Sequence, residues 1–126
     1  MIKKVLAKPF MCPIIDGKER YIMGTGEQRS YLYDQKKKEL IKIFPFGAEG
    51  CFNEESNKIL LSQRRGFFSI YDIKEKVMLL TQKLPRGSNL DPASPGCFYN
   101  DNILLFGTKN RREKQVTGYN IAEIIL

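Results

Sequence analysis

The sequence predicts an all-β chain built from three tandem copies of one unit of roughly 40 residues, each a four-stranded antiparallel sheet. Three observations carry that expectation. Short β-favouring runs alternate with turn chemistry, three landmarks recur in phase, and the strands carry apolar residues on both faces.

The second copy is the plainest. Runs at 50–52, 58–63, 67–73 and 77–84 are separated by turn residues at 53–57, 64–66 and 74–76, the order expected of an antiparallel meander. The third copy opens with Gly96-Cys97-Phe98, turns at 99–102, continues as a strand at 103–106, passes a basic turn at 109–114 and ends in a strand at 116–121. In the first, Cys12 leads into Ile14 and Ile15, a turn at 16–19, strands at 20–23 and 30–34, and a last strand at 40–44 before Pro45. Residues 2–10 read as one more strand, placed before Cys12 as 40–45 and 77–85 are placed before the next two copies.

The in-phase landmarks are Tyr33-Asp34, Tyr71-Asp72 and Tyr119-Asn120; Cys12, Cys51 and Cys97; and the pairs Ile22-Met23, Leu60-Leu61 and Leu104-Leu105. With these residues the chain resembles the WD-repeat and related β-propeller families. Their blades run from a short inner strand through an Asp/Asn-Gly-like turn to an aromatic-Asp ending. The resemblance implies one domain of three blades at about 11–45, 50–85 and 96–126, a half-propeller, with strand 2–10 completing a blade. The chain departs from the family pattern in having no Trp-Asp, no Gly-His and no histidine at all, so the hydrogen-bonded network of WD blades cannot form.

Phe67 and Tyr71 alternate with Phe68 and Ile70, which says that both faces of this sheet are covered, as in radially stacked blades. Propellers close with four to eight blades, so three leave terminal faces that need a partner. A two-fold homodimer giving a six-bladed ring is the simplest closed solution. The alternative is collapse of the three sheets into a sandwich or irregular barrel.

At 126 residues the chain fits one domain, and 42% hydrophobic with 28% charged residues is the composition of a folded globular protein. Only residues 5–7 form an apolar stretch behind the basic start, too short for an export signal, and no run reaches membrane-spanning length. A cytoplasmic protein that does not enter membranes is therefore expected. Three cysteines without a Cys-x-x-Cys pair argue for reduced thiols. Lys and Arg number 21 against 14 Asp and Glu, a net charge of +7 that favours acidic partners.

Without histidine the usual general base, the nucleophile-His pairs and the commonest metal ligand are missing, so no enzyme, cofactor or metal is expected. Equivalent cysteines on inner strands could converge as thiolates or soft-metal ligands. Packing of small, nearly apolar side chains on a crowded inner strand is the favoured reading of them. Gly24-Thr25-Gly26 reads as a hairpin turn, and Asp34 and Asp72 as turn-forming side chains.

The basic residues sort by turn. Turns between second and third strands carry Arg29, then Arg64 and Arg65, then Lys109, Arg111, Arg112 and Lys114, whereas turns between third and fourth carry Lys36, Lys37, Lys38, Lys74 and Lys76. In a propeller these classes lie on opposite ends, and guanidinium forks make the Arg-bearing end the better recognition surface. That surface suggests a non-enzymatic module docking an acidic protein, such as an immunity or inhibitor protein that neutralises a toxin or another enzyme. An RNA- or DNA-binding protein using the same basic end, with Tyr31, Tyr99 or Phe46 as stacking platforms, is the alternative. A degenerate enzyme-type propeller that takes its active groups from a partner is the third.

Overall fold

Alternating β-branched and aromatic residues broken by Asp, Asn and Gly make this chain a succession of hairpins. The computed structural model describes residues 11–63, 67–83, 96–107 and 116–121, apart from the side chains of Met11, Cys12 and residues 116–119. Strand 2–10 lies outside the described residues. The first sheet holds β1 (Met11–Ile15), β2 (Tyr21–Thr25), β3 (Ser30–Asp34) and β4 (Glu39–Phe44). The second holds β5 (Glu49–Phe52), β6 (Lys58–Ser62), β7 (Phe67–Asp72) and β8 (Val77–Lys83). The third holds β9 (Cys97–Asn100), β10 (Ile103–Gly107) and β11 (Val116–Asn120). Every pairing is antiparallel between sequence neighbours, so each sheet is a simple meander.

The sheets stack face to face with their first strands adjacent, since β5 touches both β1 and β9. The fourth strands β4 and β8 are largely exposed and form the outer rim. Strand alternation puts successive side chains of the middle sheet into two different cores. Ile59, Leu61, Tyr71 and Ile73 join Met23, Leu32 and Phe44 of the first sheet, and Phe44 meets the Tyr71 ring edge-on at 5.1 Å. Leu60, Phe68, Ile70 and Leu80 instead pack on Leu104 and Phe106 of the third, with the Phe68 and Phe106 rings 5.4 Å apart. Both faces of the middle blade are covered, as its sequence pattern requires; Phe67, at the strand end, is exposed under the Lys83 ammonium.

The strand pairing corrects four readings of the sequence. Ile22, Ile59 and Leu104 each pair with the landmark tyrosine position, Tyr33, Tyr71 and Tyr119, so the equivalent pairs are Ile22-Met23, Ile59-Leu60 and Leu104-Leu105. Cys51 pairs with Leu60 and Cys97 with Leu105, whereas Met23 pairs with Ile14. Ile14, not Cys12, is thus the counterpart of the other two cysteines, because an irregularity between Met11 and Ile14 shifts the phase of β1. Gly24 and Thr25 belong to β2, paired with Tyr31 and Ser30, and the hairpin turn is Gly26 to Arg29, closed by a Gly26 N–H to Arg29 carbonyl bond of 2.7 Å. Tyr99 and Asn100 likewise extend β9 instead of forming a turn.

The first two blades are each pinned by two side-chain anchors, and the third shares the first of them. At the strand-one to strand-two turn, Asp16 accepts bonds from the backbone N–H groups of Lys18, Arg20 and Tyr21 (3.2, 2.7 and 2.6 Å), Asn53 from Asn57 and Lys58 (3.0 and 2.9 Å), and Asn100 from Asn102 and Ile103 (2.8 and 2.9 Å). At the end of the third strand, Asp34 accepts from Lys36 and Lys37 and Asp72 from Glu75, as turn-forming carboxylates do. Backbone bonds repeat with them: Gln35 to Arg20, Ile73 to Asn57 and Ile121 to Asn102, at 2.8, 2.9 and 2.8 Å. Both turn classes end in a left-handed residue, Glu19 and Ser56 in one, Lys38 and Lys76 in the other.

Burial by itself works against ionisation of Asp16, but the N–H groups of Tyr21, Arg20 and Lys18 outweigh it and hold the carboxyl below its ordinary 3.8. The Ser56 hydroxyl also favours the ionised form without reaching full hydrogen-bond geometry. Asp34 is lowered in the same way: burial opposes, while Lys37 N–H, the Arg20 guanidinium at 3.3 Å and Lys36 N–H prevail.

Two predictions follow from these turns. Lys38 and Lys76 are exposed and hold φ of 54° and 57°, a region that costs an L-residue about 1–2 kcal/mol, so Lys38→Gly and Lys76→Gly each raise stability by about 0.5–1 kcal/mol net of chain entropy. The check is the midpoint of urea unfolding; a lower midpoint in both variants would contradict the turn analysis. Because the folded pKa of Asp16 lies below its unfolded value, the carboxylate contributes stability above about pH 4 that is lost as pH falls through the folded pKa. Asp16→Asn, which installs the residue already used at 53 and 100, keeps the turn and flattens the acid limb of the stability curve. An unchanged acid limb measured by denaturation between pH 2 and pH 5 would show that Asp16 does not titrate as described.

Candidate functional site

The two ends of the stack are chemically distinct, and inter-blade bonds identify which turns share an end. At one, the Lys18 ammonium bonds the Glu55 carbonyl at 3.2 Å and the Asn53 amide bonds the Asp101 carboxylate at 3.1 Å, so the first turns of all three blades sit side by side. The third-to-fourth turns, residues 35–38 and 73–76, emerge at this end too, since β1 and β3 run in the same direction, as do β5 and β7. Lys36, Lys37, Lys38, Lys74 and Lys76 are exposed on its outer part, and Glu54, Glu55 and Asp101 are exposed nearer the inner strands. The Lys-rich end is therefore zoned, mainly basic outside, where Glu75 is the exception, and mainly acidic inside, where Lys18 is the exception. The acidic zone was legible in Glu54-Glu55 and Asp101, but only topology puts the first turns on the same end as the lysines.

Between β1 and β5 at this end lies a groove of about 460 Å³, lined by residues that include Ile14, Ile15 and Phe52 and the turn residues Asp16, Asn53 and Glu54. The Asp16 and Asn53 side-chain oxygens are engaged by turn N–H groups, which leaves the exposed Glu54 as the lining carboxylate.

At the opposite end are the second-to-third turns and the inter-blade linkers. Ser30 is fully buried there; its hydroxyl donates to the Phe46 carbonyl at 2.7 Å and accepts from the Ala48 N–H at 2.9 Å, tying the first linker to β3. The Thr25 hydroxyl donates to the Ala48 carbonyl, and Gly47 passes so close to the Gly26 and Glu27 carbonyls that a Cβ would not fit. Gly96 N–H bonds the Ser62 hydroxyl at 2.9 Å at the corresponding place between the second and third blades.

Arg29 is exposed in the Gly26 to Arg29 hairpin at this end, beside exposed Glu27 and Gln28. Arg64, Arg65, Lys109, Arg111, Arg112 and Lys114 lie outside the described residues. The strands that flank them, β6 with β7 and β10 with β11, are the counterparts of β2 and β3. Of the three aromatic platforms, Tyr99 is 68% exposed, Phe46 is half-buried with its ring 5.8 Å from that of Phe44, and Tyr31 is half-buried. Tyr99 sits near the finish of β9, toward the zoned end and away from Arg29.

Cys51 is half-buried against the second core; burial, with Cys97 nearby, pushes its thiol pKa up despite a backbone bond from Phe98, and the thiol lies 3.5 Å from the Phe52 carbonyl. A protonated packing thiol is what this position holds. Among the described residues no three His, Cys, Asp or Glu side chains come together as a metal site. No described helix is long and apolar enough to cross a membrane.

No protein-family model and no curated protein matches the chain. Among solved structures it is similar to the WD40 repeats of RRP9, with a TM-score of 0.70 and 13% identity over 95% of this chain and 38% of that one. It is similar to U3-55K at a TM-score of 0.70 and 13% identity, over 95% of this chain and 39% of that one. The C-terminal WD40 domain of Sif2 gives 0.66 and 13%, over 90% and 31%. The chain thus spans less than two fifths of each of these structures. With its meander sheets stacked through two cores, the chain has the WD-repeat-like β-propeller blade fold, all-β and antiparallel.

Proposed function

We propose that this chain is a non-enzymatic, cytoplasmic protein-binding module that docks an acidic protein surface through the turns at the Arg29 end. Its role on this reading is that of an immunity or inhibitor protein that neutralises a toxin or another enzyme. The observation that carries the reading is the division of charge between the ends. The exposed carboxylates of the first turns are gathered at the zoned end, while the turn sequences joined to the other end hold Arg29, Arg64, Arg65, Arg111 and Arg112. Arginine forks bond carboxylates in pairs, which suits an acidic partner. Asp16 and Asp34 are engaged as ionised turn anchors and Cys51 is held as a thiol, which supports a structural role for these three.

The +7 charge favours a nucleic acid as a second reading. Of the three platforms, exposed Tyr99 lies away from the Arg29 end, while Tyr31 and Phe46 near that end are half-buried, which favours the protein partner.

Salt distinguishes the two. The expected outcome is no retention of tRNA or duplex DNA at about 100 mM salt, since phosphate binding is lost steeply with ionic strength. A protein should instead be captured from a nuclease-treated native-host lysate and identified by mass spectrometry. Replacing Arg29, Arg64, Arg65, Arg111 and Arg112 by Ala should lower affinity for the captured protein more than tenfold while leaving the β circular dichroism and the unfolding midpoint in place. Unchanged affinity in that variant would remove the Arg29 end from the interaction.

A further inference from the structure

The register gives every blade two different faces. One row points toward the preceding blade: Phe52-Ile59-Tyr71-Met78 in the second sheet and Phe98-Leu104 in the third. Of these, Phe52, Ile59 and Tyr71 are in the core shared with the first sheet, and Phe98 and Leu104 in the core shared with the second. The other row points toward the following blade: Ile14-Met23-Leu32 in the first sheet and Cys51-Leu60-Ile70-Leu80 in the second. Each junction within the chain is one row of the first kind seated on one of the second.

Two rows have no facing row among the described residues. In the first sheet the predecessor-facing row is Ile15-Ile22-Tyr33-Leu40, position for position the counterpart of Phe52-Ile59-Tyr71-Met78. Ile15 is 52% exposed and Leu40 36%, with Ile43 on the same face at 43%, while Ile22 and Tyr33 at the middle of the row are half-buried. In the third sheet the successor-facing row contains Cys97 paired with Leu105, the counterpart of Cys51 with Leu60; Cys97 is exposed and Leu105 half-buried.

We infer that the row Ile15-Ile22-Tyr33-Leu40 is the docking surface for the Cys97-Leu105 face of a second copy of this chain, joined head to tail. The occupant follows from the polarity of the faces. A row that faces a predecessor is covered, at both junctions within the chain, by a row that faces a successor, so two copies of the Ile15 face do not fit one another. The chain's own Cys97-Leu105 face is such a successor-facing row. Two copies related by a two-fold along the ring axis make two identical junctions and supply six blades, within the four to eight that close a propeller. This inference stands apart from the proposed partner binding, which uses the ends of the stack and not its sheet faces.

The full chain should sediment at micromolar concentration with twice its 14.6 kDa mass. Ile15→Arg with Leu40→Glu, at positions already a third to a half exposed in the single chain, should return it to a single-chain mass with unchanged circular dichroism and weaken association at least 100-fold. Within the chain Cys51 and Phe98 join the same core, and their counterparts across the new junction are Cys97 and Ile15. In a Cys12→Ser, Cys51→Ser background, Ile15→Cys should therefore be oxidised by copper phenanthroline to an intermolecular disulfide with Cys97. The link should disappear when Cys97→Ser is added. A single-chain mass for the unsubstituted protein, a link between two introduced thiols, or assemblies larger than two copies would each overturn the inference. Affinity for the captured partner at the Arg29 end is measured separately, so loss of that binding with an intact two-copy mass would count against the proposed function alone.

Discussion

The structure depends on apolar side chains leaving both faces of the middle sheet. A short four-stranded meander with one wet face would have a single core and a defined outside. The second sheet instead sends Ile59, Leu61 and Tyr71 one way and Leu60, Phe68 and Ile70 the other, so it is stable only between two neighbours. Burying a side chain of that size stabilises by about 1.5–3 kcal/mol relative to leaving it in water. Several such side chains per face make the stack, not the individual blade, the unit that folds, as in other repeat architectures.

Polar anchoring makes that stacking specific. Asp16, Asn53 and Asn100 occupy the same turn in the three blades and serve the same N–H groups, with one an acid and two amides. An oxygen acceptor is what the turn requires, and charge is incidental to it. Because Asn53 also reaches Asp101 and Lys18 reaches Glu55, the anchors of adjacent blades are linked, and the angle between sheets is fixed at the end as well as through the core. At the other end Ser30 performs the corresponding task for the linker, with no water or charge required.

Between the blades, the inner-strand positions Ile14, Cys51 and Phe52 are used for packing, and Asp16 and Asn53 beside them for the turns. The charged side chains described lie largely on turns at the two ends of the stack, Lys36, Lys74, Glu54 and Asp101 at one and Arg29 and Glu27 at the other.

The sequence by itself determined the number of blades, the meander order, the Tyr33, Tyr71 and Tyr119 phase and the turn role of Asp34 and Asp72, because those follow from local alternation and from side chains that bond their own turn. It also separated the arginine turns from the lysine turns, since alternating hairpins must exit at alternating ends. Tertiary structure decided the rest. One irregularity in β1 moved Cys12 out of phase and put Ile14 beside Met23, a slip with no mark in the residues themselves. Close approach of Gly47 to the Gly26 and Glu27 carbonyls belongs to the linker packing around the Gly26 to Arg29 hairpin, with Gly24 and Thr25 left in β2. Which of two apolar rows faces a predecessor and which a successor depends on how whole sheets pack, and a pattern of alternating hydrophobic residues is the same for both.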